Sequence, residues 1–222
     1  VSFSPSGINS LSGEPCTLCG LPTPRALLSR DRRRHFECAS CGLVFAARAE
    51  RLPRSECERR YLQHENGIEN AGYCDFLNRA VNRAAPFLPP GSKGLDYGCG
   101  PGPTLSKLLA ALGHSMTDYD PIFFDRPLEP PYDFVFSTEC FEHFEEPALE
   151  IAKIVALLRP GGVLAIMTDL WNASTDFGKW HYATDPTHVS FYSAETLSYV
   201  ERTFGLERLA SDEQRVFVFA KK

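Results

Sequence analysis

The chain has 222 residues, a formal net charge of −5 at neutral pH, 43% hydrophobic and 23% charged residues. That balance is ordinary for a globular protein and suits one large domain with a small appendage. It lacks the basic excess of a general nucleic-acid binder, and no long apolar run marks a membrane-spanning helix.

Residues 1–13 open Val-Ser-Phe-Ser-Pro-Ser-Gly, without the basic and apolar regions of a signal peptide, and are expected to form a disordered leader. A cytoplasmic setting follows, in which eight cysteines are better explained by metal or burial than by disulfides. Cys16-Thr-Leu-Cys19-Gly20 and Cys38-Ala-Ser-Cys41-Gly42 carry this further. In a Cys-x-x-Cys-Gly knuckle both sulfurs of one turn face a single ion, and the glycine permits the positive φ the turn needs. Four thiolates close a tetrahedron, so the expected zinc is structural, and residues 14–47 form a zinc ribbon folded mostly by its metal. Short strands are expected at Arg25–Leu28 and His35–Glu37, with Leu43-Val-Phe leading out. The basic run Arg30-Asp-Arg-Arg-Arg-His35 reads as a solvated loop tip, a phosphate-contacting patch being the weaker alternative.

Arg48–Arg54 is the expected linker into a domain spanning 48–222, with helices at 48–90 and a core at 91–222. Ser55-x-x-Glu58 has the form of a capping box opening a helix through His64. Phe76, Leu77, Ala80, Val81 and Ala84 recur at helical spacing between Tyr73 and Ala85. Lys93–Tyr97 reads as a buried strand breaking into Gly98-Cys99-Gly100-Pro101-Gly102-Pro103, and Thr104–Leu112 continues as a helix. Such a turn lets backbone approach a ligand where a Cβ would collide, and the helix offers free N–H groups. The spacing is Gly-x-Gly-x-Gly led by Asp96, not the Gly-x-Gly-x-x-Gly of a dinucleotide turn.

Ser115–Tyr119 is the second strand of this core, ending in Asp118-Tyr-Asp120-Pro121. An acid about 20 residues past a glycine turn, at a strand end, is placed to take both hydroxyls of a ribose. Asp120 is the first choice and Asp118 the second. The stretch 121–131 is too short and too rich in proline for a further helix and strand, so a regular third crossover is not expected. Tyr132–Ser137 is a strand running into Thr138-Glu-Cys-Phe-Glu-His143-Phe-Glu-Glu-Pro147. A helix over Pro147–Leu158 is stopped by Arg159-Pro-Gly-Gly162, and Val163–Met167 is a strand. Thr168–Tyr192 is aromatic and polar with little periodicity, the mark of a functional loop. Ser193 and Gly205 cap a last helix at Ala194–Phe204, followed by strands at Leu206–Ala210 and Gln214–Ala220.

The acid-led glycine turn, the Asp-Pro strand end, the Glu142-His143…Pro147 segment and Leu158-Arg-Pro-Gly-Gly together resemble the class I S-adenosylmethionine methyltransferases across residues 55–222. The resemblance implies an α/β fold: a Rossmann-like, doubly wound, mostly parallel sheet with an antiparallel last strand, here beside the small N-terminal ribbon. It implies S-adenosylmethionine held by Asp96, Gly98, Cys99, Gly100 and Gly102, with Asp120, Pro121 and Ile122 beyond them. Ser137, Thr138 and Glu139 run beside that cofactor, and Tyr73, or alternatively Tyr61, is laid over it. Ile122, Phe123 and Phe124 would wall the adenine, with Asp125 a weak polar candidate.

Methyl transfer from a sulfonium asks the protein mainly for alignment and exclusion of water, plus a base when the acceptor is a hydroxyl. His188, in the Asp185-Pro-Thr-His188 segment, is the first candidate for base or orienter of the acceptor, then His143 and His181. The plain alternative for each is a hydrogen-bonded structural histidine. No open catalytic metal site is read from the sequence, magnesium at a cluster near Glu139–His143 being subordinate. The expected acceptor is a small molecule, methylated on oxygen or carbon: a sugar, a quinol-like ring or another metabolite. A zinc-ribbon methyltransferase acting on ribosomal or transfer RNA is the enzymatic alternative, and a scaffold that binds S-adenosylmethionine without turnover the non-enzymatic one.

Overall fold

The computed structural model describes residues 13–23, 25–63 and 66–222. The expected leader lies outside them except for Gly13.

The ribbon is an antiparallel sheet of β1 (Arg25–Leu28), β2 (Arg34–Glu37) and β3 (Val44–Ala46). The basic run forms the turn between β1 and β2, with Arg30, Arg32 and Arg34 exposed as expected of a solvated tip, but Arg33 and His35 depart from that reading. Arg34 and His35 lie in β2, and the half-buried Arg33 guanidinium reaches far along the chain, its Nη2 donating to the carbonyls of Ala183 (2.7 Å) and Asp185 (3.1 Å). The linker contains a short 3₁₀ turn at Arg48–Glu50, tied down by Arg48–Glu146 (3.0 Å) and Arg51–Glu145 (3.4 Å) pairs.

Helix α1 covers Arg54–Tyr61 and α2 covers Ala71–Ala84. The capping box at Ser55 does not form. Pro53 occupies the cap position with no side-chain bond, so Ser55 already lies in the first turn, past the place from which its hydroxyl would cap. The helix ends at Tyr61, and His64 lies outside the described residues. Helix α2 starts ahead of Tyr73 because the Asn70 side chain accepts from the Tyr73 N–H (3.1 Å).

The main sheet contains β4 (Lys93–Tyr97), β5 (Ser115–Tyr119), β6 (Tyr132–Thr138) and β7 (Leu158–Met167) in parallel. Strand β9 (Leu206–Ser211) and strand β10 (Val216–Lys221) complete the order β5-β4-β6-β7-β10-β9, with β10 antiparallel to both its neighbours. Strand β7 begins earlier than expected and takes in Arg159-Pro-Gly-Gly, where its pairing with β6 is irregular. With no strand between β5 and β6, β5 is an edge, as the short proline-rich 121–131 stretch implies.

Helices α2 and α3 (Thr104–Ala111) pack Leu77, Val81, Leu105 and Leu109 on one face of the sheet, against Phe134 and Phe136 of β6. On the other face Val135 meets Ile151 and Ile154 of α4 (Pro147–Leu157) and Leu197 of α5 (Ala194–Phe204). Successive residues of β6 thus serve opposite faces, which explains its unbroken apolar run. Ser193 and Thr196 form a capping box at α5, and Gly205 ends that helix at φ 66°.

The long aromatic segment supplies β8 (Ser190–Phe191), which pairs with β3, Val44 opposite Phe191 and Phe45 opposite Ser190. The ribbon sheet therefore runs β1-β2-β3-β8, and its fourth strand belongs to a distant part of the chain.

Candidate active site

At the carboxyl end of β4 the chain turns through Gly98 (φ 84°) and Gly100 (φ 63°). A Cβ on Gly98 would stand 2.2 Å from Cys140 Sγ, so glycine alone lets the turn pass the end of β6. At Gly100 a Cβ would meet nothing within 4 Å, leaving that side of the turn open. Gly98 N and Cys99 N both donate to Tyr119 O (2.8 and 3.2 Å), and Gly100 N donates to Asp120 Oδ2 (3.1 Å). The other Asp120 oxygen accepts from the amides of Ile122 (2.8 Å) and Phe123 (3.2 Å). Asp120 thereby locks the ends of two strands together. Buried Asp96 stands beneath the turn; burial, then the charges of Asp118 and Asp120, push its carboxyl up to about 8.

A cavity of about 540 Å³ opens over this turn, within the usual span for small-molecule sites. Asp96, Gly98, Cys99, Gly100 and Gly102 line it, as do Asp120, Pro121 and Ile122. Tyr73 of α2 and Tyr61 of α1 form another side, and Thr138 and Glu139 a third. Ser137 is fully buried, and neither it, Asp118, Phe123, Phe124 nor Asp125 lines the cavity. Glu139 takes a left-handed backbone (φ 49°), its amide donating to Met167 O (2.7 Å) and its carboxylate gripped at 3.0 Å through both oxygens by Arg215.

The far end of the cavity is lined by Glu142, His143, Thr187 and His188. Glu142 and His143 lie in a 3₁₀ turn, Phe141–His143, which with Phe144 is hydrogen-bonded to the β8 segment. Val189 N donates to Glu142 O (2.8 Å), Ser190 Oγ to Phe144 O (2.7 Å) and Tyr192 OH to Phe141 O (3.2 Å). His143 Nδ1 lies 3.0 Å from Thr187 O, and His188 Nδ1 lies 2.7 Å from Tyr182 O. A carbonyl only accepts, so both contacts call for a proton on Nδ1 and a lone pair on Nε2; the Tyr61 hydroxyl, 3.2 Å from His143 Nδ1, then shares that proton as an acceptor. The rings meet edge to face at 4.9 Å. Burial lowers His143, while burial and the His143 charge lower His188 to about 3, so both rings are neutral at physiological pH. His181 is exposed, contacts the Tyr182 ring and does not line the cavity.

Glu142 is fully buried. Its Oε2 accepts from Thr168 Oγ1 (2.9 Å), and Tyr182 OH stands 3.2 Å from that same hydroxyl. Its Oε1 has no partner among the described residues. In the sequence Glu142 figures as a site candidate only within the subordinate magnesium cluster near Glu139–His143, and Thr187 is not singled out; their proximity to His188 depends on the return of the chain at β8.

In the ribbon, Cys16 Sγ lies 3.6 Å from Cys41 Sγ and Cys19 Sγ 3.4 Å from Cys38 Sγ. Sulfurs bound at about 2.3 Å around one tetrahedral zinc stand about 3.8 Å apart, so the four thiols fit that ion. The knuckles repeat one pattern: Gly20 N to Cys16 O (2.8 Å) and Gly42 N to Cys38 O (2.9 Å), with φ 75° and 71° at the glycines.

Residues 67–211 match a family model described as a methyltransferase domain. The chain belongs to that methyltransferase family. No curated protein matches it. Among solved structures, this methyltransferase is similar to the Burkholderia thailandensis 1,6-didemethyltoxoflavin-N1-methyltransferase, determined with 1,6-didemethyltoxoflavin and S-adenosylhomocysteine bound. The two share 15% identity over 89% of this chain and 99% of the other, with a TM-score of 0.55. A Galdieria sulphuraria protein provisionally named a sarcosine dimethylglycine methyltransferase aligns at 14% identity over 75% of this chain and 98% of its own, with a TM-score of 0.52. At such identities the likeness speaks for the fold: a mostly parallel sheet with a reversed strand, as in the S-adenosylmethionine-dependent methyltransferases.

The residues present fit S-adenosylmethionine. The glycine turn is open where Gly100 lacks a side chain, and Asp120, at the end of the neighbouring strand, lines the same cavity. This methyltransferase is S-adenosylmethionine-dependent in family and fold.

Proposed function

We propose that the protein transfers a methyl group to a small-molecule acceptor that occupies the Glu142–His143–His188 end of the cavity. The observation that carries this reading is the continuity of one cavity from the glycine turn to that corner. S-adenosylmethionine supplies the electrophilic methyl group and an excellent leaving group. The chain's own residues bind and align. Gly98, Cys99, Gly100 and Gly102 present backbone, Asp120 holds the ribose diol, Asp96 supports the turn, and Pro121 and Ile122 bound the adenine side. Ser137, Thr138 and Glu139 end the strand beside the donor, and Tyr73 covers it.

A hydroxyl acceptor is oriented by the neutral Nε2 atoms of His188 and His143, His188 being the first candidate to take the proton. His181, exposed beside Tyr182, has a place at the rim at most. The ribbon, residues 14–47, holds structural zinc on Cys16, Cys19, Cys38 and Cys41, and free thiols of this kind suit a reducing, cytoplasmic compartment. Residues 48–222 form the transferase domain. Among the described residues no helix is long and apolar enough to cross a membrane. Use of Arg33 to hold the Ala183 and Asp185 carbonyls speaks against the basic run as an RNA grip.

Incubation with S-adenosylmethionine labelled on the methyl group, together with fractionated cell extract, tests the reading. Label is expected in a small-molecule fraction. Label in RNA would replace this acceptor class, and tight donor binding without turnover on any fraction would favour a scaffold.

A further inference from the structure

We propose that Glu142, His143 and His188 form a divalent-metal site at the acceptor end of the cavity, for a transition ion of the zinc, manganese or iron class. The inference rests on the proposed function only for what this corner does. Its chemistry stands on the side chains.

A Glu142 carboxylate oxygen and one ring nitrogen from each histidine lie within 4.8 Å of one another. Donors about 2.1 Å from a shared ion stand about 3–3.5 Å apart, so binding would draw them modestly inward. Two imidazoles and one carboxylate are a ligand set for such an ion that leaves positions open for substrate. Glu142 supplies the independent sign. It is fully buried, yet Oε1 has no hydrogen-bond partner among the described residues. A buried carboxylate oxygen without a donor is open to a cation.

The surroundings match as well. A metal-bound histidine characteristically gives its other N–H to a carbonyl or carboxylate, which sets the tautomer and the ring. Thr187 O stands 3.0 Å from His143 Nδ1 and Tyr182 O 2.7 Å from His188 Nδ1, partners that would leave Nε2 of each ring for an ion. The Thr168 hydroxyl holds the second Glu142 oxygen, so each ligand has its orienting partner. All three residues line the cavity, so an ion they held would be accessible from it. An acceptor hydroxyl completing the sphere would lose its proton more readily, and the histidines would then act as ligands rather than bases. The four-thiol cluster is distinct: soft sulfur selects zinc, whereas manganese favours nitrogen and oxygen.

The test is titration of the full-length, zinc-loaded protein with Mn²⁺, followed by electron paramagnetic resonance of free Mn²⁺, with S-adenosylmethionine affinity measured in parallel by calorimetry. One Mn²⁺ per chain is expected. Glu142→Gln and His188→Ala should each weaken it by at least the ~10–100-fold seen when a ligand merely loses its orienting partner. Thr168→Val, which removes such a partner from Glu142, should weaken it about 10-fold. Retained donor affinity identifies the variants that are folded. No saturable Mn²⁺ at millimolar concentration in protein that binds the donor would overturn the site and leave the proposed function standing. So would Glu142→Gln and His188→Ala variants that bind Mn²⁺ like the parent. Loss of donor binding in the parent protein would instead strike the proposed function.

Discussion

The two ends of the cavity are built in different ways. The donor end is local: the Gly98–Gly102 turn, the strand that enters it and the Asp120 strand end are close in sequence, and Asp120 joins them with three backbone hydrogen bonds. The acceptor end is assembled from three remote pieces: the Phe141–His143 turn, the 182–192 segment and the ribbon. Strand β3 pairs with β8, Arg33 clasps the Ala183 and Asp185 carbonyls, and His35 packs its ring on Phe177 (5.0 Å) and Phe191 (5.5 Å). The ribbon therefore packs behind the 182–192 segment, whose Pro186–Val189 line the cavity. A four-cysteine ribbon that looks like an appendage in the chain is, in space, a brace for the 182–192 segment.

The division has its sharpest test in Cys38→Ser. Losing a zinc ligand removes most of what folds so small a ribbon. Amide exchange across β1–β3 and residues 182–192 is expected to rise together, and methyl transfer to fall by more than about 100-fold, while donor affinity changes less than about threefold. Equal loss of donor affinity would show that the two ends are not separable. Asp120→Ala is the converse. It should weaken S-adenosylmethionine binding by about 10–100-fold in calorimetry, since charge-assisted hydrogen bonds contribute about 1.5–3 kcal/mol each. Exchange in residues 182–192 should stay as in the parent.

A smaller effect is expected from His35. Burial, then the Arg33 charge, lowers it to about 4 in the native protein, against 6.5 when unfolded. Between those values the unfolded chain binds a proton that the native one refuses, so stability falls as pH drops from 6.5 toward 4. At pH 5 the loss is about 2 kcal/mol. Urea unfolding at pH 7.5 and pH 5 should show this difference shrinking by that amount in His35→Phe. Ser193→Ala is the mildest. It removes the α5 cap, whose hydroxyl also reaches Gly42 O (3.5 Å) of the second knuckle, and should cost about 1 kcal/mol in the same assay.

Much of the donor end was legible in the sequence because its signals are short-range. A glycine turn needs positive φ at particular residues, an apolar run needs a buried strand, and Ser193 and Gly205 cap the helix they flank. The two knuckles were equally plain, since sulfur spacing around one ion is a local matter. Ser55 misled for the complementary reason: a capping box depends on the residue at which the helix starts, and Pro53 moved that start.

The acceptor corner was not legible in the same way. His143 and His188 were singled out separately, but their approach to Glu142, within 4.8 Å, depends on the 187–190 segment returning to the Phe141–His143 turn from far along the chain. Arg33 likewise read as a solvated charge until Ala183 and Asp185 turned their carbonyls toward it. Sequence by itself determined the strands, the turn and the knuckles, where backbone sterics and residue spacing act within a few positions. Tertiary structure alone decided which buried polar atoms would be satisfied by partners from elsewhere, and which, Glu142 Oε1 among them, would be left without one.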